Sequence, residues 1–336
     1  MGLMMKIRKK PLSEQVIVIT GASSGIGLAT ALSAAKQGAK VVLASRNDAI
    51  LAKIADDIRK NGGQALELVT DVTRREDLEY LAAETLKVFG AFDTWVNNAG
   101  ISIFGRIEDV SDEDHHRLFE TNFWGTVYGS TIAIQHLKHH GGRLINMGSM
   151  ASDVAIPLQG MYCASKHAIK GFTDALRMEL EAENAPVSVT LIKPASINTP
   201  FPDHAKNYMD RRPKLPPPIY AVEDVADAIL HAAVHGPRDI YVGGSSKLIS
   251  SLHKQIPAAT DWMGTHLLTK TQDIDGYGAI DENALYKPGH DGEIHGKTPH
   301  HVMHSTYTKA SLHPALTNVL LAGATAMLLG RTIRRH

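Results

Sequence analysis

The chain has 336 residues, 43% apolar and 21% charged, which suits a soluble, core-forming protein and excludes a mainly disordered or fibrous one. Lys+Arg and Asp+Glu both total 35, so the formal charge is zero and no global basic field recommends nucleic acid as a partner. The single cysteine, Cys163, excludes an internal disulfide framework and fits a reducing compartment.

The first fifteen residues carry Lys6, Arg8, Lys9 and Lys10 but no apolar stretch long enough for a signal-peptide core. Secretion is therefore not expected, and residues 1–11 read as a solvated basic arm. From residue 16 short β-branched runs alternate with longer segments of helical period. The strand candidates are 16–20, 40–45, 65–70, 94–97, 143–147, 187–192 and 239–242, and helices are expected near 26–37, 48–61, 74–88, 112–139, 159–184 and 223–235. Strict alternation, with strands apolar on both faces, predicts a parallel sheet covered by helices on each side. Such sheets bind ligands beyond the C-terminal ends of their strands, so strand-end motifs carry the functional weight.

The first strand ends in Thr20-Gly21-Ala22-Ser23-Ser24-Gly25-Ile26-Gly27. Gly21 suits a tight turn, Gly25 lets backbone approach a pyrophosphate, and Gly27 allows close helix–sheet packing, while the helix N-terminus supplies free N–H groups. At the first strand–helix turn of an alternating fold, this pattern points to a dinucleotide. The second strand ends in Ser45-Arg46-Asn47, with a guanidinium where an acid would bind ribose hydroxyls and repel a 2′-phosphate. NADP(H) is therefore favoured over NAD(H). Asp71-Val72 ends the third strand, where the acid suits the adenine amino group, and Asn97-Asn98-Ala99-Gly100 ends the fourth as a polar, flexible stretch facing the cofactor.

Tyr162 and Lys166 lie four apart in a helical segment and share a face. A phenol titrating near pH 10 is a poor acid/base at neutral pH, and a neighbouring ammonium favours its phenolate. Ser149, at the end of the fifth strand, is placed to donate to the oxygen of a carbonyl substrate.

Taken in order, TGASSGIG at 20–27, Asp71, NNAG at 97–100, Asn122, Ser149, YCASK at 162–166 and KPASINTP at 193–200 resemble the short-chain dehydrogenase/reductase (SDR) family over residues from about 12 to 243. The resemblance implies an α/β fold, a Rossmann-type doubly wound parallel sheet of seven strands with helices on both faces. It implies Tyr162 as general acid/base, Ser149 polarising the substrate oxygen, Lys166 holding the nicotinamide ribose and tuning Tyr162, and Asn122 supporting a proton relay through water. Where the family usually has Pro-Gly after the sixth strand, this chain has Pro194-Ala195, with Ile197 and Thr199 still placed for the nicotinamide amide and phosphates. Ala adopts left-handed angles poorly, which leaves that loop's geometry open.

The expected reaction is hydride transfer between nicotinamide and a carbonyl or secondary alcohol, with no metal required. Residues 198–220 fall at the family's variable substrate lid; Phe201, Tyr208 and Met209 there, with Met150, Ile156, Leu158 and Met161 beside the catalytic residues, suit a lipophilic substrate, although ordinary packing accounts for any one of them equally. A homo-oligomer is expected. Other classes are a non-catalytic dinucleotide sensor and a membrane-associated binding protein on the same fold; the intact Ser149, Tyr162 and Lys166 speak against a pure sensor.

The division expected is 1–11 as arm, 12–244 as dinucleotide-binding catalytic domain, 245–310 as a polar His/Gly-rich extension without convincing period, and 311–336 as an apolar helix with a basic end. Nine of the eighteen histidines lie beyond residue 245, and His300, His301 and His304 have no acid or cysteine completing a zinc set. The apolar run 315–330 would span roughly 24 Å as a helix, short of a hydrocarbon core of roughly 30 Å. Arg331, Arg334 and Arg335 favour the cytoplasmic side, where the catalytic domain is also expected, so one full crossing conflicts with the positive-inside tendency. Surface contact through 314–333, packing on protein and a tail anchor stay open, in that order, for a cytoplasmic protein with or without peripheral attachment to the membrane face.

Overall fold

The computed structural model describes residues 9–268, 273–274, 283–289, 291–298, 300–313 and 317. Seven strands form one parallel sheet: β1 (Val16–Thr20), β2 (Lys40–Ser45), β3 (Gln64–Val69), β4 (Thr94–Asn97), β5 (Gly142–Met147), β6 (Val187–Pro194) and β7 (Asp239–Val242). Their order is β7-β6-β5-β4-β1-β2-β3. The chain therefore reverses direction across the sheet between β1 and β4, and a crevice opens beyond their C-terminal ends.

Eight helices belong to this frame: α1 (Gly25–Lys36), α2 (Asp48–Lys60), α3 (Arg75–Phe89), α4 (Asp112–Phe119), α5 (Gly125–His140), α6 (Gly160–Ala182), the short α7 (Phe201–His204) and α8 (Val222–His235). Because side chains alternate along a strand, β1 feeds two cores. Ile17 and Ile19 join Leu43, Val225 and Ile229 on one face, while Val16 and Val18 join Trp95, Leu81 and Leu137 on the other. Full burial of each such side chain is worth about 1.5–3 kcal/mol.

Two departures from sequence expectation have clear causes. The continuous helix expected over 112–139 is broken by a π-turn at Glu120–Trp124, which separates α4 from α5 and contains Asn122. Beyond residue 245 the chain contains regular structure: α9 (Gly244–Gln255), α10 (Pro257–Met263) and α11 (Thr306–Leu312). Helix α9 hides from periodicity because its buried positions are Ser246 and Ser250 while Leu248 is exposed. Val302–Met303 pairs with Ile219–Tyr220, which pairs with Ser196–Ile197, so the extension is stitched to the segment after β6. Among the described residues no helix is long and apolar enough to cross a membrane. The apolar segment 314–333 lies outside the described residues apart from Thr317.

One buried charge cluster fixes the loop after β5. Asp153 has no exposed side-chain surface and meets Lys170 at 2.6 Å and the buried Lys193 of β6 at 3.3 Å. Burial opposes the charged form, but the two lysines win and hold its carboxyl at about 2. That contribution is full above the ordinary carboxylate pKa and disappears as pH falls through about 2. Replacing Asp153→Asn should cost about 3 kcal/mol at neutral pH, because the buried Lys193 keeps only the longer contact to Asp239 at 3.6 Å as a charged partner. Urea unfolding of both proteins at neutral pH checks this, and an unchanged midpoint would refute it.

Candidate active site

At the crevice, the glycine turn is shaped by contacts that leave no room for side chains. Gly21 and Gly25 have φ of +65° and +52°. A Cβ on Gly27 would lie 2.1 Å from the Gly21 carbonyl oxygen, so α1 packs directly on the turn it follows. Ser24, at the N-cap, makes no side-chain cap, which leaves the first N–H groups of α1 short of partners within the helix. A helix start of this kind is an anion site.

The loop after β4 is stapled to the turn rather than loose. Thr20 Oγ1 accepts from the backbone N–H of Asn98 at 3.0 Å and of Ala99 at 3.1 Å, and Asn98 Nδ2 donates to the carbonyls of Thr20 and Gly21. Asn98 thus spends its amide on the loop itself.

Ser149 caps the short turn Met150–Ser152, its Oγ accepting from the Ala151 N–H at 3.1 Å. This leaves the hydroxyl hydrogen free to donate elsewhere. On α6, Lys166 is buried and donates to the Met147 carbonyl at 2.8 Å, with Nζ 5.7 Å from the Tyr162 ring centre. Burial raises Tyr162 to about 12, with hydrogen bonding from Ser149 pulling the other way. Burial lowers Lys166 to about 8. The ammonium expected from sequence to depress the phenol is turned toward a backbone carbonyl, and burial dominates.

Asn122, in the π-turn, is fully buried. Its Oδ1 accepts from Ile101 N–H at 2.9 Å, and its Nδ2 donates to the Ile101 carbonyl and to Ser165 Oγ. It braces the loop after β4 against α6. Ala195 needs no left-handed angle and donates its N–H to the Val242 carbonyl, which answers the question raised by the missing glycine.

A cavity of about 260 Å³ joins these parts, lined by Gly21, Ser23, Ser24, Gly25, Ile26, Ser45, Arg46, Asp71, Val72, Asn98, Ala99, Gly100, Ser149, Tyr162, Lys166, Pro194, Ile197 and Thr199. Gly27 and Asn122 stand behind the wall. Of the apolar lid candidates, Phe201 lines it with Met150 and Ile156, its ring 5.8 Å from Tyr162, whereas Leu158 and Met161 line a separate small cleft.

Sequence reasoning missed two contributors. Arg117 of α4 donates to Asp71 Oδ2 at 3.0 Å and to Thr73 Oγ1 at 2.8 Å. Burial opposes the Asp71 charge, but the hydrogen bonds from Thr73 and Arg117 keep its pKa below the ordinary value. The other contributor is the extension: Ala284, Pro288, Gly289 and Asp291 complete the cavity wall. Arg46 donates to the carbonyls of Ala284, Leu285 and Lys287. The glycines at 289, 292 and 296 were the available signal. Among the described residues no cluster of three metal-ligating side chains forms.

The family model for short chain dehydrogenases matches residues 15–209. The chain belongs to the short-chain dehydrogenase/reductase family. It is accordingly an oxidoreductase acting between CH–OH and C=O groups. It is 42% identical over 334 residues to the "Uncharacterized oxidoreductase YxnA" of Bacillus subtilis, covering 98% of this chain and 94% of that one. It is 34% identical to 11-beta-hydroxysteroid dehydrogenase A of Sesamum indicum, over 67% of each chain. Among solved structures, an alcohol dehydrogenase of Thermococcus sibiricus complexed with 5-hydroxy-NADP shares 27% identity at a TM-score of 0.60, covering 68% of this chain and 95% of that one. An SDR of Burkholderia phymatum in complex with NAD shares 25% identity at a TM-score of 0.62, with coverage of 79% and 98%.

Proposed function

We propose that this protein is an NADP(H)-dependent oxidoreductase for a lipophilic carbonyl or secondary alcohol, with Tyr162 as general acid/base. The observation that carries this is the one cavity joining the glycine turn, Arg46 and the group Ser149, Tyr162 and Lys166. The residues present fit a dinucleotide: two turn glycines have left-handed angles, a third has no space for a Cβ, and the helix start behind them has no side-chain cap.

Gly21, Ser23, Ser24, Gly25, Ile26 and Gly27 would form the pyrophosphate cradle, Ser45 and Arg46 would face the 2′-phosphate, and Asp71 and Val72 the adenine. Asn98, Ala99, Gly100, Pro194, Ile197 and Thr199 would line the path to the nicotinamide. When bound, the nicotinamide supplies or takes up the hydride. In reduction Ser149 donates its hydroxyl hydrogen to the substrate oxygen, and Tyr162, protonated at neutral pH, gives that oxygen its proton. Lys166 keeps two further N–H donors for the nicotinamide ribose and offsets the charge left on the phenolate. Asn122 supports the relay by fixing α6 against the loop after β4. Met150, Ile156, Phe201 and Leu215 give the substrate end an apolar wall, in keeping with the hydroxysteroid dehydrogenase name of a relative. One observation favours NAD(H) instead: Asp291 reaches the same cavity and accepts from Asn47 Nδ2 at 3.1 Å.

Changing Tyr162→Phe should cut carbonyl reduction by about 10²–10⁴-fold, the usual contribution of a general acid, with NADPH affinity nearly unchanged. Assay of NADPH oxidation against a panel of ketones checks this, and undiminished turnover would remove Tyr162 from the mechanism. Arg46→Asp should turn the preference toward NADH, read as the ratio of kcat/KM for the two cofactors; retained NADPH selectivity would remove Arg46 from that role. Since Lys166 loses its proton as pH rises through about 8 while Tyr162 stays protonated to about 12, reductive kcat/KM should decline above about pH 8. A flat pH profile through that region would contradict the part given to Lys166.

A further inference from the structure

The extension lies across the open side of the cavity as a backbone strap, residues 283–289 and 291–296. It grips the glycine turn reciprocally: Gly292 N–H donates to the Ser23 carbonyl at 2.8 Å, and Gly25 N–H donates to the Glu293 carbonyl at 2.9 Å. Its glycines permit this closeness. A Cβ on Gly296 would stand 2.3 Å from the Thr199 carbonyl oxygen, and one on Gly289 would stand 2.9 Å from the His204 ring. Arg46 and Arg117 hold the strap's carbonyls from beneath, Arg117 donating to that of Leu285 at 3.1 Å.

A second contact joins the strap to the substrate side. Asp114 of α4 is buried, and its two carboxylate oxygens take one tyrosine each. Oδ1 accepts from Tyr286 of the strap at 2.7 Å, and Oδ2 accepts from Tyr208 of the lid segment at 2.7 Å. The strap is also tied to the lid by the Ala284 N–H, which donates to the His204 carbonyl at the end of α7. One carboxylate therefore holds both coverings of the cavity.

Resting on the dinucleotide assignment above, we propose that the strap is the moving outer wall of the dinucleotide site and that Asp114 is a positioning residue latching it to the substrate lid. A dinucleotide seated on the glycine turn lies under the strap, so the strap lifts to admit and release it. The hold is mostly polar: backbone hydrogen bonds, two arginines, Asn47 on Asp291, the solvent-exposed His295–Glu223 pair and the Tyr286 hydroxyl, with Ala284, Leu285 and Ile294 as its apolar anchors. Opening of such a segment is far cheaper than global unfolding. Because Asp114 serves both coverings, loosening it acts on cofactor release and on substrate affinity together.

The test uses the full chain with NADPH and NADH as probes. Equilibrium affinity is read by fluorescence titration, and release by stopped-flow chase with excess oxidised cofactor. Tyr286→Phe removes one hydroxyl from a half-exposed ring and should speed release roughly tenfold, the worth of one hydrogen bond to a charged group. Asp114→Asn should speed release similarly and also raise the substrate KM, whereas Tyr208→Phe should raise KM with less effect on release. Hydrogen exchange in strap peptides should slow when cofactor is added to the wild type. Unaltered release in both Tyr286→Phe and Asp114→Asn, with cofactor still binding, would overturn the strap and leave the site standing. Failure of the wild type to bind either cofactor would overturn the site itself. A change in KM confined to Tyr208→Phe would overturn the latch.

Discussion

Helix α1 begins so close to β1 that Gly27 touches the carbonyl of Gly21, and much of the working end follows from that contact. A side chain on Gly27 would push the helix outward, and one on Gly21 would press on Ala99 in the loop after β4. With both glycines in place, Thr20 and Asn98 can lace the two loops together, bridging the strands between which the sheet reverses its order. The same closeness directs the start of α1, which lacks a side-chain cap, into the crevice, where its N–H groups create positive potential without a charged side chain. A parallel sheet supplies the crevice; these glycines decide that it is narrow and polar at one end.

At the other end the chemistry depends on burial. Tyr162 and Lys166 occupy one helix face, and enclosure moves them in opposite senses, the phenol up and the ammonium down. Both shifts penalise the charged form. In the proposed mechanism the protonated phenol has beside it a lysine near its own titration, which would answer charge developing on the phenol without recruiting a carboxylate. Fixing this arrangement falls to groups that never meet substrate: the Met147 carbonyl orients Lys166, Asn122 braces α6, and the Asp153 cluster ties the Ser149 turn to β6.

The sheet was legible because buried parallel strands are short, apolar and β-branched. Ser149, Tyr162 and Lys166 could be read because strand-end position and helical spacing constrain chemistry directly. What could not be read was which polar groups the protein would use up internally. Asn98, Asn122 and Asp71 have side chains suited to ligands, yet each is hydrogen-bonded to residues distant in sequence, Asp71 to Arg117 of α4. The π-turn at Asn122 was hidden since hydrophobic period runs through it unbroken. Helix α9 was hidden for the opposite reason: serines, not leucines, form its buried face.

The extension was the least legible part because it meets the cavity largely through backbone. Its contacts with the glycine turn are peptide to peptide, and its hold on Arg46 is through three carbonyls. Such contacts leave no hydrophobic pattern, only glycines where the approach is tight. They also bind two questions together. Arg46 is the group proposed to meet a 2′-phosphate, and the same guanidinium hydrogen-bonds the strap; Asp291, brought in by the strap, stands on the same side of the cavity. A phosphate approaching Arg46 must compete with neutral carbonyls that a charge-assisted pair outmatches, whereas a ribose hydroxyl would leave the strap's grip intact. On the proposed reading, Arg46 therefore bears on both the choice of cofactor and the hold on the strap, and a substitution there would change both.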